Sequence, residues 1–516
     1  MPTTDPLRLA DLAELRVAVW GFGREGRAAL AVLRERFPQK MLTVFCSEAE
    51  ALALNSELSA VAPSPLTDSP SGERVGVRGQ SVTTSTSPRS ETLLPHPTLS
   101  PIARDKGEGL KAEAALNIVT SPPNVDALKP FDVIIKSPGI SPYKAPLPEA
   151  ESAGVRFVSG SALWFAEHIG ARTICITGTK GKSTVTALIA HLLRKRGKCV
   201  ALAGNIGLPL LELLAPPREP DWWVIELSSF QTRDFGGAPT VAVINNLYEE
   251  HLDWHGTRER YAMDKLALAA HARTLVVNAQ QPELLARTAA APRRTTFGDA
   301  SGWHVRDGAI WRARDRILEL RDLPLPGEHN AQNVCAALTA IEAAGEDARV
   351  AATHVATFRA LPHRLQRLGT RDDIEYVNDS IATTPYATIE ALRSVAGPVS
   401  VIVGGFERGV DWRPFVEYVA KYPPHAIVAT GANGARIAAA LGVIATPGFL
   451  LASASTFEAA LRSAHARTPA GGTILLSPGA PSFDQFHDYA ERGREFARLA
   501  GFDPEGIAHI EGLGIA

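Results

Sequence analysis

The segment Thr177-Gly-Thr-Lys-Gly-Lys-Ser-Thr184 constrains this chain more than any other. The apolar run Thr173-Ile-Cys-Ile176 precedes it, and Val185, Leu188, Ile189, Leu192 and Leu193 follow with helical spacing. A strand, a glycine turn, a lysine, two hydroxyls and a helix form a cradle for a nucleoside triphosphate. Backbone N–H groups and a helix N-terminus face the anion, a lysine reaches the outer phosphates, and a hydroxyl takes magnesium. Ile176 stands where the general phosphate loop has its first glycine, so the pattern is the shorter Gly178-x-x-Gly181-Lys182-Ser183-Thr184. Gly178, Thr179, Lys180, Gly181, Lys182, Ser183 and Thr184 are therefore the expected ATP-binding residues.

At 516 residues the chain is too long for one core, and about three domains are expected. A formal charge of −2 gives no argument for nucleic acid or an anionic membrane as partner. The four cysteines (Cys46, Cys175, Cys199, Cys335) make no C-x-x-C pair, which argues against a zinc ribbon or a disulfide framework. Residues 1–15 lack the apolar centre of a signal peptide, and no apolar run approaches the ~20 residues of a membrane helix. The expected compartment is the cytoplasm.

Strands alternate with helices in three stretches, so the expected fold class is α/β, with three mainly parallel sheets covered by helices. Residues 1–160 read as a Rossmann-like unit, 161–360 as an ATP-binding unit and 361–516 as a second Rossmann-like unit. The first opens with the strand Arg16–Trp20 and the fingerprint Gly21-Phe-Gly23-Arg24-Glu-Gly26. An NAD site wants an acid closing the second strand, and Cys46-Ser47 stand there, so NAD itself is not supported. Residues 63–109 are rich in Ser, Thr, Pro and Gly and read as a disordered insertion.

Several residues carry chemistry. Glu226 closes the apolar run Trp222–Ile225, where an acid beside a phosphate loop can hold magnesium or cap the next helix. His251 and His255 are four apart, but Leu252 replaces the glutamate of a zinc-protease helix; one imidazole helping a second divalent ion is the better reading. Lys265 alone reads as a surface lysine. Asn330 and Asn333 share a helix face and could read an adenine edge or cap the helix. Arg364 and Asp379 bracket the entry to the third unit and could close on ATP.

Together these blocks resemble the Mur ligases, at their glutamate-adding step. The matching blocks are Thr177–Thr184, Gly204-Asn-Ile-Gly207, Glu226–Gln231, Glu250-His-Leu-Asp253, Lys265, His329-Asn330, Leu361-Pro-His-Arg364, Asn378-Asp-Ser380 and Leu476–Phe486, in the family's order. The resemblance implies phosphorylation of the carboxylate of UDP-N-acetylmuramoyl-L-alanine by ATP, then attack by the amine of glutamate. It implies that Lys182, His251, Lys265 and Asp379 are catalytic. Ser183, Glu226, His251 and Lys265 would hold two magnesium ions, Lys265 as a carbamate. Asn330, Asn333, Arg364 and Asp379 would hold ATP, and Gly21, Gly23, Arg24, Gly26, Ser137, Gly139, Asn205, Ser228 and Gln231 the UDP-sugar. The family default is a monomer.

The departures fall on the amino-acid site. Members that add D-glutamate read Asn-Asp-Ser-Lys-Ala-Thr where this chain has Asn378-Asp-Ser-Ile381-Ala-Thr383. The family's Gly-Gly-Asp-x-Lys is here Gly404-Gly-Phe-Glu-Arg408, which exchanges a point charge for a planar fork. Ile381, Thr383, Arg408, Ser482, Phe483 and Tyr489 are the expected glutamate-binding residues. The pattern is similar to a variant branch that adds L-glutamate and leaves an epimerase to act on the product. The weighed alternatives are D-glutamate, a folylpolyglutamate synthase-like reaction, and a non-catalytic UDP-sugar module.

Overall fold

The computed structural model describes residues 6–61, 116–325, 327–444 and 447–516. The insertion expected at 63–109 lies outside them. The first sheet has five parallel strands in the order Leu116–Val119, Leu42–Phe45, Val17–Trp20, Val133–Lys136, Arg156–Val158. This order reverses beside Val17–Trp20, the place where doubly wound sheets bind ligands. Gly26 sits on the first turn of the helix Arg24–Arg36, and a Cβ there would stand 1.9 Å from the Gly21 carbonyl oxygen. Only glycine lets that helix approach its strand so closely.

The central sheet runs Arg294–Phe297, Thr274–Asn278, Val241–Ile244, Thr173–Thr177, Trp222–Glu226, Val200–Gly204, Gly514–Ile515. Its first six strands are parallel, and the inner runs Val241–Ile244, Thr173–Thr177, Trp222–Glu226 and Val200–Gly204 are buried along their whole length, as parallel sheets require. Helices Lys182–Lys195 and Glu328–Ala343 cover one face. The other face shares a continuous apolar core with the first unit through Leu163, Trp164, Phe165, Leu210 and Leu211. Trp164 stacks edge-on against Trp223 with ring centroids 4.6 Å apart. A buried ion pair, Lys136 Nζ to Asp234 Oδ2 at 2.8 Å, reinforces the same joint.

An antiparallel sheet of Trp303–Arg306, Ala309–Arg312 and Asp315–Glu319 interrupts the parallel plan. Its first turn is Asp307-Gly308, both at positive φ (49° and 69°), the pairing a two-residue hairpin demands. The third sheet runs Gln366–Arg371, Ile374–Asn378, Thr473–Leu476, Val399–Val403, Ala426–Ala429, Leu450–Ser453, parallel except for its first strand. Its two apolar faces form cores of their own.

Two connections join the third sheet to the centre. One is the segment Leu361–Leu365, where His363 and Leu365 both take left-handed backbone (φ 60° and 44°). The other is the tail. Gly514–Ile515 pairs antiparallel with Val200–Gly204 at the edge of the central sheet, and Ile510 and Leu513 pack on the central core. Arg194 Nη2 donates to Val200 O at 2.6 Å and Gly514 O at 3.3 Å. No described helix is long and apolar enough to cross a membrane.

Arg194→Ala removes both bonds at the tail. The expected result is a loss of about 1–2 kcal/mol locally, seen as roughly tenfold faster amide exchange at residues 513–516. Unchanged exchange there would show that strand pairing and apolar contacts hold the tail without Arg194.

Candidate active site

The ends of the central strands place the site. Gly178 follows Thr173–Thr177 directly, and Gly181 precedes the helix Lys182–Lys195 with φ at 78°. Left-handed backbone there turns the loop onto Asn245 and Asn333; a Cβ would lie 2.6 Å from Asn245 Nδ2 and 2.4 Å from Asn333 Oδ1. Asn245 Nδ2 donates to Lys180 O at 3.0 Å and to Asn333 Oδ1 at 2.9 Å. Asn246 braces the same residue from outside, accepting from Lys180 N at 2.8 Å. Thr179 is buried, its hydroxyl 2.7 Å from that of Tyr261. The loop is thus fixed before any phosphate arrives, as an anion cradle should be.

Lys182 Nζ donates to Thr179 O at 3.1 Å. Burial lowers its pKa, while Glu226 and Glu250 oppose that effect. Lys265, 2% exposed, is not the surface lysine its helix pattern alone implies: its Nζ donates to Gly178 O at 2.9 Å. Burial and the charge of Lys182 hold its pKa well below the ordinary lysine value. Ser183 and Thr184 follow on the first turn of the helix.

Glu226 is 1% exposed and does not cap the next helix; Ser228 does, in a capping box with Gln231. Asn205 Nδ2 donates to Glu226 Oε1 at 2.8 Å, and Oε2 has no hydrogen-bond partner. A buried carboxylate oxygen in that state fits a divalent cation. His251 is half-exposed in left-handed backbone, 3.7 Å from Glu250 Oε2, and partial burial lowers its pKa. A neutral imidazole is the form that binds metal. His255 points elsewhere, fully buried, so the two histidines do not form a pair. Among the described residues no three His, Cys, Asp or Glu side chains gather as a ready-made metal cage.

Other expected site residues are committed to the protein. Asn333 Nδ2 donates to Asn330 Oδ1 at 3.2 Å, so this pair braces the loop from the helix Glu328–Ala343. Gln231 Nε2 donates to Glu25 Oε1 at 3.1 Å, and burial pushes the Glu25 carboxyl up to about 7. Ser137 Oγ donates to Gly21 O at 3.1 Å, Gly139 O accepts from Trp254 Nε1 at 3.1 Å, and Arg24 Nη1 donates to Gly207 O at 3.1 Å. Space is open around Gly23.

The third unit faces this cradle. The charge of Arg364 reaches Lys182 and Asp379, and Tyr489 feels Arg24, Arg364 and Glu226 together. Charged groups of all three units therefore lie within electrostatic reach of one another. Asp379 accepts from Ser477 Oγ at 2.8 Å and Leu365 N at 3.2 Å, which fixes the backbone next to Arg364. Asn378 holds Ser380 N at 3.1 Å, and Ile381 lies beside them, partly buried. Thr383, Arg408, Phe483 and Tyr489 are exposed, while Ser482 is buried. The Arg408 guanidinium stands 6.0 Å from the centre of the Phe483 ring. Arg492, which the sequence reading passed over, is buried and donates to Ser380 Oγ, Ser380 O and Ala480 O at 3.0, 2.8 and 3.0 Å. Its helix reads as ordinary amphipathic sequence, so nothing local marks it.

A glycine loop with two lysines, a buried acid at the next strand and a third unit bringing an arginine define an enzyme that works on a nucleoside triphosphate. The comparisons narrow this. A family model for the Mur ligase middle domain matches residues 176–341. The UDP-N-acetylmuramoyl-L-alanine--L-glutamate ligase of Xanthomonas axonopodis pv. citri (strain 306) is 44% identical over 522 residues, covering 99% of this chain and 100% of that protein. A protein of the same name from Micromonospora sp. (strain ATCC 39149 / NRRL 15099 / SCC 1413) is 36% identical, covering 95% and 97%. Among solved structures, UDP-N-acetylmuramate-alanine ligase MurC from Thermotoga maritima has a TM-score of 0.55 at 17% identity, covering 94% of this chain and 99% of that one. The MurF ligase from Thermotoga maritima in complex with ADP has a TM-score of 0.50 at 17% identity, covering 74% and 90%. These two share the α/β fold. The chain belongs to the Mur ligase family of ATP-dependent, amide-bond-forming ligases.

Two outcomes follow from the geometry. Gly181→Ala strains the backbone and drives a methyl into Asn333 and Asn245, so ADP affinity should fall at least tenfold by calorimetry. Wild-type affinity would mean the loop relaxes freely. Burial raises the Asp379 carboxyl from 3.8 to about 7, so its stabilising contribution is complete below 3.8 and is lost as pH rises through about 7. Asp379→Asn can keep both hydrogen bonds, and its stability relative to the parent should climb from about pH 4 to about pH 7 in urea titrations. A flat difference would remove the assignment.

Proposed function

We propose that this chain joins L-glutamate to UDP-N-acetylmuramoyl-L-alanine at the expense of ATP, in the cytoplasmic assembly of peptidoglycan precursor, through an acyl phosphate. The observation that carries the reading is that Lys265 sits on the Gly178–Thr184 loop and that Glu226 and Arg364 lie within electrostatic reach of Lys182, in a chain like L-glutamate ligases along its whole length.

A carboxylate and an amine do not condense at neutral pH without a leaving group. In the proposed sequence the muramoyl-alanine carboxylate attacks the γ-phosphorus of ATP, and ADP departs. The glutamate amine then attacks the acyl carbon, phosphate leaves with the acyl–oxygen bond, and the nitrogen loses a proton. The chain's residues hold these anions together. Loop N–H groups and Lys182 offset charge on the outer phosphates. Arg364 approaches the nucleotide from the third unit, and Asp379 and Ser477 fix its backbone. Gly21–Gly26, Ser137 and Gly139 offer the first unit's switch point to the UDP-sugar.

Ser183 and Glu226 would hold one magnesium ion, and His251 with Lys265 a second. Such ions supply charge that screens the phosphates and orients the transferring group. Lys265 as an ammonium cannot be a ligand. Burial and the charge of Lys182 favour the neutral Lys265 amine, and a neutral amine can add to carbon dioxide, forming an N–C bond with loss of a proton, to give an anionic carbamate that would be a ligand.

Ile381 and Arg408 support L-glutamate over D-glutamate. A branched apolar side chain and an exposed guanidinium replace two ammonium groups, so the incoming carboxylates meet a differently shaped clamp. An epimerase acting on the product would then be a functional partner, and a monomer would suffice.

Phosphate release with ATP, magnesium and UDP-N-acetylmuramoyl-L-alanine should be at least tenfold faster with L- than with D-glutamate. Equal or faster turnover with D-glutamate would overturn the stereochemical choice. Lys265→Ala should abolish turnover, and the parent protein equilibrated with 13C-bicarbonate should show a carbamate carbon resonance that the variant lacks.

A further inference from the structure

Loop 137–143 meets the helices Leu252–His255 and Arg258–Leu266 through polar side chains to which the proposed reaction gives no role. Trp254 Nε1 donates to Gly139 O at 3.1 Å, and Ser141 Oγ donates to Trp254 O at 2.6 Å. The Tyr143 hydroxyl donates to Asp264 Oδ1 at 2.7 Å. The other oxygen of Asp264 takes His255 Nδ1 at 2.7 Å, and His255 Nε2 meets Ser229 Oγ at 3.0 Å. His255, Asp264 and Ser229 are 0%, 6% and 3% exposed.

The order Asp264–His255–Ser229 has the connectivity of a hydrolytic triad, but no substrate carbonyl reaches a buried Ser229. The chain of bonds does something else. Asp264 immediately precedes Lys265 on the helix Arg258–Leu266. Ser229 opens the helix that follows Glu226, in the turn that also holds Ser228 and Gln231. Tyr143 belongs to the first unit, a few residues from Ser137 and Gly139. His255 is the hub, because its two nitrogens join the two helices. A buried network with every member bonded locks the orientation of its parts.

We infer that Tyr143, Asp264 and His255 are positioning residues that tie the seat of the UDP-sugar to Lys265. Loop 137–143 cannot shift without pulling on Asp264, and the Asp264 helix turn carries the Lys265 amine to Gly178 O. The inference rests on the roles proposed above for Lys265 and for Ser137–Gly139. It goes further in naming three residues that touch no substrate and set where two substrate-facing groups stand.

Steady-state kinetics of the full-length protein test it. Tyr143→Phe removes one hydroxyl and keeps the ring. KM for UDP-N-acetylmuramoyl-L-alanine should rise about fivefold, the effect of one hydrogen bond, with kcat and the ATP KM within about twofold. His255→Asn keeps an N–H near the Nδ1 position and so the bond to Asp264; His255→Gln reaches only Ser229. Turnover should therefore survive better in the asparagine variant than in the glutamine variant, a ranking that loss of packing alone would not produce. An unchanged UDP-sugar KM in Tyr143→Phe, with Lys265→Ala inactive, overturns the inference and leaves the role of Lys265 standing. Retained turnover in Lys265→Ala removes both.

Discussion

Burial of two lysines against one glycine loop is the constraint on which the rest of this structure depends. Lys182 and Lys265 approach the loop from different helices; burial lowers the pKa of both, and the charge of Lys182 lowers that of Lys265 further. Such an arrangement is tolerable only if acids stand close and if one lysine can shed its charge. Glu226 and Glu250 supply the acids, and Asn205 turns one oxygen of Glu226 inward. The loop's own carbonyls, Gly178 O and Thr179 O, accept hydrogen bonds from Lys265 and Lys182. The asparagines at 245, 246 and 333 then hold the peptide planes that present those carbonyls. Every part of the cradle answers to a surplus of positive charge that polyphosphate would complete.

The three units bear on that site with unequal stiffness. The first and central units share one apolar core, reinforced by an ion pair and by the tyrosine–aspartate–histidine chain, so they behave as one body. The third keeps its own two cores and meets the others through a strained three-residue bend and a tail. Loops and lids that assemble a catalytic constellation are drawn from such loosely attached parts. The proposed amino-acid site belongs to this looser unit and the proposed phosphate site to the rigid one. Substitutions in the first can change what is added without disturbing how it is activated.

Much of this was legible in the sequence, and for identifiable reasons. The apolar runs at 173–176 and 222–225 have no polar face, and each lies in a buried parallel strand of the central sheet. Loop, acid and lysine came as motifs whose spacing carries their chemistry. The hairpin at Asp307-Gly308 could have been found, since that dipeptide between alternating runs is a strong turn signal, but the expectation of alternating strands and helices masked it. Gly514–Ile515 could not be found, because two residues show no period. Nor could the destinations of Asn333, Gln231 and Asp379 be read: a polar side chain facing inward looks the same in sequence whether it ends on a ligand or on a neighbour. His255 is the sharpest case. Its spacing from His251 invited a metal reading, and only the fold shows it turned away.

The pairing of Gly514–Ile515 with Val200–Gly204 has a consequence for biogenesis. The strand that cradles phosphate and its neighbours are translated before the midpoint of the described chain is far behind, yet the seventh position in their sheet is filled by residues made some three hundred positions later. Until those residues leave the ribosome, the edge at 200–204 presents open N–H and C=O groups, a template for pairing with another nascent chain. The tail thus acts as a late-arriving intramolecular guard, and the central unit reaches its full complement of strands only after the third unit has been synthesised.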